Sequence, residues 1–170
     1  MAKTSLNYIL QALKIFIEEK VASKITLLKE RSVPEEYVNP FVGIITLPHK
    51  NFMPVNFQVP HILIGLEKGT NNMDKNHTIN IRIQCATYGG EYQFEEDANI
   101  PDEKGYLDLL NLLERVMHEL LQATVIGNCT IDTEFDYGIY DDEMTYPYWY
   151  GYIRFSIEIP IINRQIEDFI

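Results

Sequence analysis

The stretch Thr78-Ile-Asn-Ile-Arg-Ile-Gln-Cys-Ala-Thr87 sets Ile79, Ile81, Ile83 and Cys85 against Asn80, Arg82 and Gln84 with a period of two. A β-strand places every second side chain on one side. The segment therefore predicts a strand with one face buried and the other meeting solvent or a partner chain. Just upstream, His61-Ile-Leu-Ile-Gly-Leu-Glu67 is apolar enough for a second strand, ended by Lys68-Gly-Thr-Asn-Asn72. A hairpin between the two is the natural pairing.

Toward the N-terminus, residues 48–60 are polar and punctuated by proline, which suits an irregular surface loop. Before it, Tyr37 to Leu47 mixes β-branched and aromatic residues between Pro40 and Pro48, a strand of about seven residues. From Thr4 to Lys29 the apolar positions Leu6, Ile9, Leu10, Leu13, Ile17, Val21, Ile25 and Leu28 recur every three or four residues. That spacing is one face of a helix, with Thr4 or Ser5 as N-cap and Pro34 forbidding continuation.

Toward the C-terminus, residues 89–101 are acidic and loop-like. Lys104 to Thr124 then predicts a second helix, with Leu109, Leu110, Leu113, Val116, Met117, Leu120 and Leu121 on one face and Asp108, Glu114, Arg115 and Glu119 on the other. Gly127-Asn128 is read as its stop. Cys129 to Tyr137 and Trp149 to Ile159 follow as strands. Strands in runs, interrupted by a helix, define an α+β domain rather than alternating βαβ winding. The expected architecture is a mainly antiparallel sheet packed on two helices, with long loops, in one domain spanning residues 1–170.

Composition narrows the function. Across 170 residues, 14 Lys and Arg face 25 Asp and Glu, a formal charge of −11. That is the wrong sign for gripping phosphates, so nucleic-acid binding and adsorption to anionic membranes are disfavoured. No apolar run approaches the roughly 18 residues of a spanning helix, and the charged first helix is unlike a signal peptide. Two cysteines, Cys85 and Cys129, without a CxxC pair suggest neither a disulfide framework nor a thiolate zinc site, and a reducing cytoplasm fits.

No catalytic signature stands out. The histidines His49, His61, His77 and His118 lack metal-ligand spacing; GxSxG, GxGxxG and the P-loop pattern are absent. No catalytic residue, metal or cofactor is therefore assigned. Asp132, Glu134, Asp136, Asp141, Asp142 and Glu143 crowd into residues 132–143. On a strand, Asp132, Glu134 and Asp136 would share one face and repel unless solvated, cation-bound or aimed at something basic. A solvated acidic face and a cation-binding or channel-lining role both fit. A carboxylate hydrolase would need convergence in a cleft.

The most unusual run is Tyr146-Pro-Tyr-Trp-Tyr-Gly-Tyr-Ile-Arg-Phe155. Tyr148, Tyr150 and Tyr152 share one side of a strand; Trp149, Gly151, Ile153 and Phe155 share the other. Rings on both sides fit either a sheet covered by the domain's own loops or a subunit interface.

The N-terminal amphipathic helix, the hairpin ending in Ile81-Arg-Ile-Gln-Cys-Ala-Thr-Tyr88, the helix from Leu109 to Leu121 and the closing strand through Ser156-Ile-Glu-Ile-Pro160 together resemble the tail terminator proteins of long-tailed phages and prophages. The likeness spans nearly the whole chain, and other neck and tail-completion proteins share much of the pattern. It implies a non-enzymatic subunit that assembles into a ring, usually of six, on the head-proximal end of the tail tube, stopping its growth. The expected partners are further copies of the chain and the tail-tube protein, then a sheath protein in contractile particles and a head-completion protein where a capsid joins. The expected location is the bacterial host cytoplasm during assembly, then the virion or a phage-tail-like bacteriocin. On that reading Tyr148, Trp149, Tyr150, Tyr152 and Phe155 lie in or beneath the subunit interface. Asp132, Glu134 and Asp136, or Asp141, Asp142 and Glu143, would lie near the lumen, repelling DNA phosphates.

Overall fold

Ser5 opens the first helix, its side-chain oxygen accepting the N–H of Tyr8 at 3.2 Å. The helix, α1 (Leu6–Lys20), buries Ile9, Leu13 and Ile17. It ends nine residues before the expected Lys29. A 3-10 turn follows at Ala22–Lys24, then a two-residue strand, β1 (Leu27–Leu28), paired with β2 (Tyr37–Val38). Two side chains redirect the backbone. Ser23 Oγ donates to Glu19 O at 2.7 Å, and the Asn39 amide donates to Ala22 O at 2.9 Å and Ile25 O at 2.7 Å. Carbonyls that would continue the helix are thus taken by a residue 14 to 17 positions away. The apolar spacing persists through Ile25 and Leu28 because the extended backbone buries Leu28 and partly covers Ile25.

The computed structural model describes residues 5–45, 58–72, 75–89, 93–95, 98–100, 103–140 and 146–161. The expected loops at 48–60 and 89–101, and Asp141, Asp142 and Glu143, lie largely or wholly outside the described residues. Most of the sheet is antiparallel, with one parallel pair at its edge. β3 (Phe41–Ile44), shorter than expected, runs parallel to β4 (His61–Asn72), which is antiparallel to β5 (Asn76–Tyr88). The expected hairpin is present, but Lys68 to Asn72 extend it rather than end it, pairing out to Asn72↔Asn76. Exposure of this outer length removes the need for apolar residues. A register shift at Glu67, between Leu66↔Ile81 and Lys68↔Asn80, is a β-bulge.

A small hairpin of β6 (Gln93–Glu95) and β7 (Ala98–Ile100) precedes α2 (Lys104–Ala123). Thr124 ends α2 in the left-handed region (φ 56°), its N–H still bonded to Leu120 O at 3.2 Å. Gly127-Asn128, expected to stop the helix, instead turns between β8 (Val125–Ile126) and β9 (Cys129–Ile131). The single strand expected over Cys129 to Tyr137 is broken: β10 (Asp136–Ile139) is separate. The closing strand, β11 (Tyr148–Ile159), pairs along its whole length with β5. Its other edge holds β10 against Gly151 to Arg154 and β9 against Ile157 and Glu158.

Alternate residues of the sheet share a core with both helices. Ile62 and Ile64 of β4, Ile79, Ile81, Ile83 and Cys85 of β5, and Ile153, Phe155, Ile157 and Ile159 of β11 cluster with Ile9, Leu13 and Ile17 and with Leu109, Leu112, Leu113, Val116 and Leu120. Each such aliphatic group contributes about 1.5–3 kcal/mol on burial. The expected periodicity of β5 holds from Ile79 to Cys85 and ends at Ala86, which is buried on the other parity. On α2, Leu112 is an unanticipated core residue, while Leu121 is 43% exposed.

Candidate interaction face

The sheet's other parity carries the rings and charges. Along β11 these are Tyr148, Tyr150, Tyr152, Arg154, Ser156 and Glu158, opposite Tyr88, Ala86, Gln84, Arg82, Asn80 and Thr78 of β5. Tyr148, Tyr150 and Tyr152 are half-buried. At one end, Tyr88 and Tyr148 meet edge-on at 5.3 Å and His61 packs 6.4 Å from Tyr150. The residues after β1 reach this end. Glu30 Oε1 accepts the N–H of Val59 at 3.1 Å, and Glu30 and Arg31 flank the Tyr148 phenol. Burial, with Glu30 nearby, pushes the Tyr148 and Tyr150 phenols upward.

Midway along the face, charge concentrates. Arg82 and Arg154 stand directly opposite on adjacent strands, a repulsive placement for like charges. Glu67, the extra residue of the bulge, lies between them. Its Oε1 accepts Arg154 Nε at 3.0 Å and lies 3.6 Å from an Arg82 terminal nitrogen. Asp136 approaches Arg154 at 3.9 Å. The Arg154 guanidinium sits 4.6 Å from the Tyr152 ring centroid, and that ring lies 5.1 Å from Tyr140. Burial raises the Tyr140 phenol's pKa, against the pull of Arg82 and Arg154. Two donors here are buried without a partner among the described residues, Arg82 Nε and Tyr140 Oη.

The other members of the aromatic run point inward. Phe155 is 4% exposed and stacks 5.3 Å from Phe135. Trp149 packs beside Tyr106 at 5.4 Å, where α2 meets the end of β5. There Gly89 and Gly105 approach so closely that a Cβ on Gly105 would lie 2.5 Å from the Gly89 backbone. Thr87 Oγ1 donates to Gly105 O at 2.6 Å across the same contact. Phe155 thus lies in the core and Trp149 is half-buried on the same side, while Tyr148, Tyr150 and Tyr152 are half-buried on the other.

The acidic residues do not share one strand face. Asp132 donates its N–H to Ser156 O at 2.9 Å, and its Oδ1 accepts the Glu134 N–H at 3.2 Å. This Asx turn breaks the strand between β9 and β10 and leaves Asp132 and Glu134 in solvent. Of Asp132, Glu134 and Asp136, it is Asp136 that reaches an arginine, Arg154. Among the described residues, no group of three or more His, Cys, Asp or Glu could hold a metal ion, and no helix is long and apolar enough to cross a membrane. Cys85 and Cys129 are buried and free, their thiol pKa values raised by burial.

The arginine pair escaped sequence reading. Both residues sit at polar positions of expected strands, but their opposition depends on a register the sequence does not encode locally. These features define a class, an α+β protein whose mostly antiparallel sheet carries a face with three tyrosines and two arginines opposite its helix-sharing core. The chain matches no protein-family model and no curated protein by sequence.

Proposed function

We propose that this chain is a structural subunit of the tail terminator type. It forms a closed ring, of six copies, on the head-proximal end of a phage tail tube, stops tube growth and offers the junction to sheath or head-completion proteins. It works in the bacterial cytoplasm and then in the assembled particle, and it catalyses no reaction. The subunit is a sheet layered on two helices, with long loops reaching tube or sheath. The observation that carries this reading is the second sheet face. Three tyrosines and two arginines stand along it in the composition that protein interfaces favour. A ring needs a heterologous contact, one surface meeting a different surface of the next copy. The tyrosine side of this sheet would supply one of those two surfaces. The net charge of −11, multiplied around a ring, repels DNA phosphates passing through the channel.

Light scattering across concentration, followed by electron microscopy with and without purified tail tubes, tests the proposal. Rings, or caps at one tube end, are expected. A strict monomer that ignores tubes would overturn it and leave a monomeric binding module as the better description.

A further inference from the structure

We infer that Arg82, Arg154 and Tyr140 form a receptor for a carboxylate supplied by a second copy of this chain. The inference deepens the ring reading and rests on self-association. Two guanidiniums carry ten N–H donors between them. Within the described contacts, the acceptors they meet are Glu67, shared by both, and Asp136 at the 3.9 Å margin. Among the described residues, Arg82 Nε and the Tyr140 hydroxyl have no acceptor, and the Tyr140 phenol lies within electrostatic reach of both arginines. Buried donors normally find partners, so a group of them short of acceptors marks a place where an acceptor arrives from elsewhere.

The chemistry of the missing group follows from geometry. A planar carboxylate pairs with a guanidinium fork, whereas Glu67 meets both arginines through the single oxygen Oε1, by one hydrogen bond to Arg154 and a 3.6 Å approach to Arg82, and leaves the forks open. Glu67 keeps the opposed arginines from repelling while the receptor is empty. Charge complementarity selects the occupant. The chain holds eleven more acidic than basic residues, so the surface of a second copy is dominated by carboxylates, whereas this cluster pairs two of its five arginines. The flanking Tyr152 and Tyr150 rings would exclude water around such a contact. Closing on the carboxylate requires the half-buried arginines to turn outward from Glu67, with Arg154 also leaving Asp136 and the Tyr152 ring.

The test uses the full chain carrying Arg154→Lys, which keeps the charge and adds an amine that a carbodiimide can couple to a nearby carboxylate. Isotope-labelled and unlabelled protein are mixed at assembling concentration, coupled and mapped by mass spectrometry. Coupling from position 154 to an Asp or Glu of the other isotope form is expected. In parallel, Arg82→Gln with Arg154→Gln should weaken self-association at least tenfold, and added salt should weaken the wild type similarly, with unfolding midpoints little changed. Coupling confined to Glu67 and Asp136 of the same copy, in protein that still assembles, would overturn the receptor and spare the ring. Absence of assembly in the wild type would overturn both. Loss of tube binding alone in the double variant would show that another protein supplies the carboxylate, overturning the second-copy assignment.

Discussion

At Gly105 a single hydrogen atom decides whether α2 reaches the sheet. A methyl group there would meet the Gly89 backbone and the Trp149 ring, both held in place by the strands beneath. Gly105→Ala should therefore destabilise the fold by about 1–3 kcal/mol through overpacking, even though alanine is the better helix former. Urea unfolding of the two proteins measures this, and equal midpoints would contradict the packing. Trp149 has the same message. It braces a helix against a strand, so Trp149→Ala tests stability, and Tyr152→Ala is the sharper probe of the exposed face.

Among the elements, α1 shows how far periodicity carries. Its buried positions Ile9, Leu13 and Ile17 were legible because a 3.6-residue repeat is a local property. Its end was not, because Asn39 sets it from a distance through Ala22 and Ile25. Asn39→Ala should remove the donor to two carbonyls, one exposed and one part-buried, and cost about 0.5–1.5 kcal/mol, seen as a lowered thermal midpoint with α1 itself still helical by circular dichroism. The same division runs through the sheet. Alternation over Ile79 to Cys85 announced β5, whereas the break after Ile131 depends on one Asx turn at Asp132 and the parallel placement of β3 on a ladder partner 20 residues ahead. At the candidate face, the tyrosines of β11 were legible as a parity. The meeting of Arg82, Glu67 and Arg154 was not, because it joins three strands whose register is a tertiary fact.

For the whole molecule, stability should fall on the alkaline side. Burial raises the pKa of Cys85, Cys129, Tyr140, Tyr148 and Tyr150, so the folded state holds protons that the unfolded chain has released. The stabilisation is complete below the ordinary cysteine value of 9.0 and is lost as pH climbs through that value and the tyrosine value of 10.0. Chemical unfolding at pH 7, 9 and 10.5 reads this directly. A flat profile would mean that these side chains are open to water. One feature of the ladder also reaches across this scale. Because Leu66 pairs with Ile81 and Lys68 with Asn80, the chain could lose Glu67 and every other rung would keep its partner. A deletion of Glu67 should thus fold, with unfolding resistance that improves when chloride is added to quiet the two arginines. The extra residue is spare length to the sheet, and what it contributes is its charge.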